Sequence, residues 1–130
     1  MMTKTLELLV NLQDLVNMEE EIKSDNYLTI MKEMLNLSDE EAEKRRQETL
    51  KVIKEKKRVI ESQLPSDIVR MFKRLMKRYG RAVVPVVNEI CLNCSSHIPT
   101  SYLTQPGEVI RCPNCGIFLY MPLPEQGQKK

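Results

Sequence analysis

The chain has 130 residues, 29% of them charged, with two Phe, four Tyr and no Trp. That length allows one domain or two small pieces, and a composition so charged and poor in aromatics suits exposed helices better than an enzyme core. No apolar run approaches the length of a membrane span, and the N-terminus lacks the basic region, apolar core and small-residue cleavage site of a signal peptide. A cytoplasmic protein with no membrane partner is the expectation. The net charge of +2 hides an asymmetry. Residues 1–37 carry three basic against seven acidic side chains, a charge of −4, whereas residues 65–80 carry five against one, a charge of +4.

From Thr3 to Asn36 neither Pro nor Gly interrupts the chain. Leu8, Leu12, Leu15 and Ile22 follow the alternating spacing of an amphipathic, coiled-coil type of helix. This stripe is expected to pack inside the molecule, and any part left uncovered would take a protein partner or a second copy of the chain. Ser38 and Glu41 then form a capping box, the Ser side chain receiving a backbone N–H while the Glu side chain reaches back. The spacing predicts a second helix over 39–63, antiparallel to the first. Pro65 cannot continue its hydrogen-bond ladder, and Gly80 marks the end of a third, short helix.

That third helix is two-faced. Ile68, Phe72, Leu75 and Tyr79 form its apolar side, while Arg70, Lys73, Arg74, Lys77 and Arg78 form a basic one, joined by Arg81 just beyond. Positive groups at helical spacing suit phosphate contacts, which convey no sequence preference. The plainer reading is a solvated face, or one that pairs with the acidic first helix. RNA or DNA is therefore the candidate partner at this surface.

Beyond Gly80 the pattern turns β-prone. Ala82–Val87 reads as a strand, and Pro85 within it implies an edge or a bulge. Further strands are predicted at Glu108–Arg111 and Ile117–Met121. All four cysteines lie in two pairs, Cys91/Cys94 and Cys112/Cys115, each C-x-x-C, with seventeen residues between the pairs. In a reducing compartment such pairs favour a metal over disulfides, and the spacing is that of a four-thiolate zinc site. Four protein ligands leave no position for a reacting water, so one structural Zn²⁺ is the expected cofactor. Redox-active pairs would need a helix N-terminus to lower a thiol pKa, and neither pair clearly opens a helix. A rubredoxin-like iron electron carrier shares the two C-x-x-C pairs, but the aromatic cluster of that fold and a Gly after Cys94 are missing. His97, the sole histidine, is expected in a loop outside the site. Gly116 after Cys115 suits positive φ, a convenience that Ser95 after Cys94 lacks.

The stretches Leu64-Pro65-Ser66-Asp67-Ile68, Tyr79-Gly80-Arg81-Ala82-Val83-Val84-Pro85-Val86 and Cys91–Cys94 resemble a bacterial family of coiled-coil proteins with a C-terminal four-cysteine zinc ribbon. Ile98-Pro99, then Gly107-Glu108-Val109-Ile110-Arg111-Cys112-Pro113-Asn114-Cys115-Gly116, and finally Leu119-Tyr120 extend the match. The first 63 residues match only in kind, as a hairpin shorter than the family's usual one. The resemblance implies a non-enzymatic adaptor or regulator with the ribbon at the base of the hairpin. Members are described as nucleic-acid-binding, and some are linked to regulation of flagellar or secretion genes.

The expected fold is therefore α+β: an antiparallel α-helical hairpin over 1–64, a short basic helix over 65–80, a zinc ribbon of antiparallel strands over 81–121, and a tail over 122–130. One histidine in a ribbon loop and four glycines provide neither a catalytic triad nor a phosphate-cradling loop. No enzyme activity and no small-molecule substrate are expected. A protein–protein scaffold acting through the hairpin is the alternative to nucleic-acid binding.

Overall fold

A computed structural model describes residues 3–104 and 109–121. The predicted tail over 122–130 lies outside these residues, as does Glu108 at the start of a predicted strand. The helices are α1 (Lys4–Lys23), α2 (Asp25–Leu35), α3 (Asp39–Ser62), α4 (Ser66–Tyr79) and the one-turn α5 (Thr100–Leu103). The strands are β1 (Val83–Val87), β2 (Ile90–Cys91), β3 (Ile110–Arg111) and β4 (Phe118–Tyr120). The α+β class expected from the sequence is the class observed. No helix among the described residues is long and apolar enough to cross a membrane.

The first arm of the hairpin is two helices, not one. At Ser24 the backbone leaves the helical region (φ −75°, ψ 153°). The Ser24 hydroxyl donates to the Glu21 carbonyl at 2.6 Å and accepts from the Tyr27 N–H at 3.2 Å. Such local bonds offer the backbone an alternative to the helical ladder, so α1 ends and α2 begins with a new cap. Asn36 terminates α2 in the left-handed conformation (φ 54°). The capping box at the start of α3 is formed in full: Ser38 Oγ accepts from the Glu41 N–H at 3.2 Å, and the Ser38 N–H donates to Glu41 Oε1 at 3.0 Å.

By contacts within the chain, residues 11–65 form one compact unit, and residues up to Val10 with those from Ser66 onward form another. In the first of these, α2 packs on α3. Glu19 meets Lys57 at 2.6 Å and Arg46 reaches the Lys23 carbonyl at 3.4 Å, so the arm runs antiparallel to α3. Leu12, Ile22, Ala42, Ile53 and Leu64 are buried here. Helix α2 buries no residue, and Ile30, Met34 and Leu35 are exposed on it.

The other unit buries more. Leu6, Leu8 and Leu9 of α1, Phe72 and Leu75 of α4, the run Ala82–Val84 with Val86, and Ile98, Leu103 and Ile117–Leu119 are all buried. Its strands form one sheet in the order β2-β1-β4-β3. The ribbon is not wholly antiparallel as expected: β1 pairs with β4 in parallel, Val83 opposite Phe118 and Pro85 opposite Tyr120, while β1–β2 and β3–β4 are antiparallel. Nor is β1 an edge. Pairing with β4 covers Val83–Pro85 and pairing with β2 covers only Val86 and Val87. Pro85 thus needs no partner on the β2 side, and a strand containing proline can lie inside the sheet. At the other end, Gly80 (φ 78°) closes α4 with its N–H on the Met76 carbonyl at 2.8 Å.

Candidate metal centre

Each cysteine pair sits in a knuckle that the sheet delivers. Strand β2 ends on Cys91, and Cys112 directly follows β3, so the first ligand of each pair comes from an edge strand. In the first knuckle the Ser95 N–H donates to the Cys91 carbonyl at 2.8 Å, and the Cys91 N–H donates to the Ser96 carbonyl at 3.0 Å. The second repeats the pattern with Gly116 to Cys112 at 2.9 Å and Cys112 to Ile117 at 2.8 Å. Ser95 adopts φ 66° where Gly116 adopts φ 83°, so the missing glycine does not prevent the turn.

The four Sγ atoms converge within 4.8 Å of one another, and none is in a disulfide. The contacts Cys91–Cys115 and Cys94–Cys112 are 3.9 and 3.5 Å. A tetrahedral ion with sulfur at about 2.3 Å requires sulfur–sulfur edges of about 3.8 Å. The cluster therefore fits a metal ion held by four thiolates. Cys91 and Cys112 are buried, while Cys94 and Cys115 are half-buried.

Electrostatics divide the set. Burial pushes the Cys91 thiol up to about 12 and also raises that of Cys112. A hydrogen bond from the Asn114 side chain, followed by one with Ser96, holds the Cys94 thiol down at about 6. Ser96 Oγ lies 3.2 Å from Cys94 Sγ. Backbone donors also reach the sulfurs: Asn93 N–H to Cys91 Sγ at 3.4 Å, Asn114 N–H to Cys112 Sγ at 3.3 Å and Cys115 N–H to Cys112 Sγ at 3.4 Å. A cation is what would ionise the buried pair, because the thiolate is the ligating form.

His97 stands apart from this cluster. Its Nε2 lies 2.9 Å from Glu89 Oε1, and Thr100 donates to the other oxygen of the same carboxylate. Those two bonds, that of Thr100 first, hold the Glu89 carboxyl below its usual range.

The basic residues of α4 lie in the same unit as the cysteines. Arg70, Lys73, Arg74, Lys77, Arg78 and Arg81 are all exposed, opposite the buried Phe72 and Leu75. The Arg78 guanidinium sits 5.3 Å from the Tyr79 ring centroid, and Arg81 Nε donates to Asn93 Oδ1 at 2.9 Å. Of the leucine stripe on α1, Leu8, Leu12 and Ile22 are buried, and Leu15 is half-buried. Leu15 lines a groove with Asn11, Asp14, Glu55, Lys56, Val59 and Ile60.

Sequence reasoning passed over Asn93 and Asn114. Both pairs read Cys-x-Asn-Cys, and this shared third position was the signal that could have singled them out.

No protein-family model matches the chain, and no curated protein matches it. Among solved structures it is similar to the HP0958 protein from Helicobacter pylori CCUG 17874, with a TM-score of 0.53. That match has 21% sequence identity and covers 91% of this chain and 71% of the other. At such identity the likeness is one of fold alone.

Proposed function

We propose that the chain is a non-enzymatic zinc-ribbon adaptor that binds the phosphate backbone of RNA or DNA through α4 in the cytoplasm. One observation carries the reading: five exposed basic residues on one side of α4, with Arg81 just beyond, in the unit that holds the cysteine cluster. Zn²⁺ suits four thiolates because it is soft enough for sulfur and imposes little geometry of its own. Cys91, Cys94, Cys112 and Cys115 would hold it, and the filled sphere confines it to ordering the knuckles. The resemblance to the bacterial coiled-coil, zinc-ribbon family supports the same reading.

The test is binding of single-stranded RNA and duplex DNA over a salt series. Replacing Lys73, Arg74, Lys77 and Arg78 by Ser removes four phosphate contacts and should flatten the log K against log salt slope by about three. Absence of binding at low salt, or an unchanged slope in the variant, overturns the reading.

A second reading rests on the hairpin. Exposed Ile30, Met34 and Leu35 on α2 and the groove containing Leu15, Val59 and Ile60 are apolar surfaces of a kind that partner helices cover. In that reading the chain is a protein scaffold without a nucleic-acid role. Self-association through the stripe of Leu8, Leu12, Leu15 and Ile22 would have to draw on Leu15, the residue of the four that is not buried.

A further inference from the structure

The two asparagines are crossed between the knuckles. Each gives its backbone N–H to the first cysteine of its own knuckle, Asn93 to Cys91 and Asn114 to Cys112. Each also directs its side chain at the second cysteine of the opposite knuckle. Asn93 Nδ2 lies 3.3 Å from Cys115 Sγ, and the Asn114 side chain hydrogen-bonds Cys94. The amide of Asn93 is held from behind, because Arg81 Nε donates to its Oδ1 at 2.9 Å. The neighbouring Tyr79 hydroxyl donates to the Cys115 carbonyl at 3.1 Å. Cys115 is thus contacted at its sulfur and at its carbonyl by groups that trace back to the end of α4.

Four thiolates around a dication leave a net charge of about −2 on the centre, and hydrogen-bond donors to sulfur offset it. An arginine on the carbonyl of an amide does two things for the N–H₂ of that amide. It fixes which end faces the sulfur, and it polarises the group so that the N–H donates more strongly. The groups around a metal's ligands set how firmly the ligands stay on the metal.

We propose that Asn93 is an outer-sphere positioning residue of the metal centre, oriented by Arg81, that retains Cys115 on the metal. The basic end of α4 and metal retention are then coupled through one side chain. A simple structural bridge between Arg81 and Asn93 is the rival account, and Asn93→Asp separates the two. The carboxylate keeps the shape and strengthens the pairing with Arg81, but it turns an acceptor towards the Cys115 thiolate.

The experiment uses the full chain loaded with Zn²⁺ and follows release of the metal to a chromogenic chelator. Asn93→Ala should release zinc roughly ten- to a hundred-fold faster than the parent, and Asn93→Asp at least as fast. Arg81→Ala should accelerate release by a smaller factor, and that factor should vanish in the Asn93→Ala background, as expected of two residues acting in series. In the ¹¹³Cd-loaded parent, a scalar coupling between the metal and the Asn93 side-chain N–H₂ protons should be observed. That readout needs no variant to fold. Metal retention by Asn93→Asp equal to the parent, an Arg81→Ala effect undiminished in the double variant, or no cadmium coupling to Asn93 would overturn the proposal.

Discussion

The knuckle at Cys91–Cys94 and the knuckle at Cys112–Cys115 close with the same two backbone hydrogen bonds but differ in the residue that turns the chain. Gly116 takes φ 83° freely, whereas Ser95 takes φ 66° with a side chain attached. The left-handed region costs a residue with a Cβ roughly 1–2 kcal/mol. A Cβ on Gly116 would also lie 3.0 Å from Arg111 Nη2. Arg111 sits there because its Nε donates to the Gly116 carbonyl at 2.8 Å. Each knuckle therefore has an arginine. In the second it comes from the adjoining strand and takes the space beside the glycine. In the first it is Arg81, from beyond α4, and it acts on the asparagine. The turn geometry is common to both, and the local residues decide how much strain it stores.

Metal removal should disturb this pair of knuckles most. With Zn²⁺ as the proposed ion, binding to four thiolates would contribute on the order of 10 kcal/mol of apparent stability. Chelation, or Cys112→Ser, should therefore release both edge strands, each two residues long. Amide exchange at Cys91 and Cys112, whose N–H groups bond the Ser96 and Ile117 carbonyls, should rise sharply while the far-UV helical signal stays nearly intact. Protection at both residues after chelation would show that the knuckles close without metal. The inner pair, β1 and β4, carries the buried Val83, Val84, Phe118 and Leu119, and its amides should persist longest.

Proton release comes next. Burial raises the thiols of Cys91 and Cys112, so both are protonated at pH 8, whereas Cys94, held at about 6, is already a thiolate there. Metal competes with protons only where protons are bound, so binding at pH 8 should expel protons from Cys91 and Cys112 and none from Cys94. Apparent affinity must then rise with pH through this range and fall as the solution is acidified. Calorimetry in buffers of different ionisation enthalpy measures the count, and a pH-independent affinity would contradict the division between the sulfurs.

Smaller effects separate the two turns. Gly116→Ala should cost about 1–2 kcal/mol from the backbone alone, with a further loss as Arg111 is displaced. Ser95→Gly should instead stabilise the metal-loaded chain by about 1 kcal/mol. Chemical denaturation of the zinc-loaded variants compares them, and equal costs at the two positions would erase the distinction.

Much of the helical architecture was legible because its determinants are local. The capping box of Ser38 and Glu41, the stop at Pro65 and the end at Gly80 depend on residues within one turn of each other. The break at Ser24 has equally local causes, yet the absence of any Pro or Gly from Thr3 to Asn36 concealed it. A serine within a helical pattern is compatible with either outcome until its hydroxyl finds the Glu21 carbonyl and the Tyr27 N–H. Helix α5 behind Pro99 was missed altogether, being a single turn with Leu103 buried.

By itself the sequence determined that four thiolates would be brought together, since two C-x-x-C turns and the strands flanking them are short-range features. It also determined that α4 would carry its basic groups on one side, because helical spacing alone assigns them there. Only the tertiary structure decided that β1 runs parallel to β4 within the sheet, a pairing between residues more than thirty positions apart. It alone crossed Asn93 and Asn114 between the knuckles and brought Arg81 to Asn93. Those contacts join segments far apart in the chain, and they exist because folding the sheet leaves polar donors facing sulfur, where they offset charge on the thiolates.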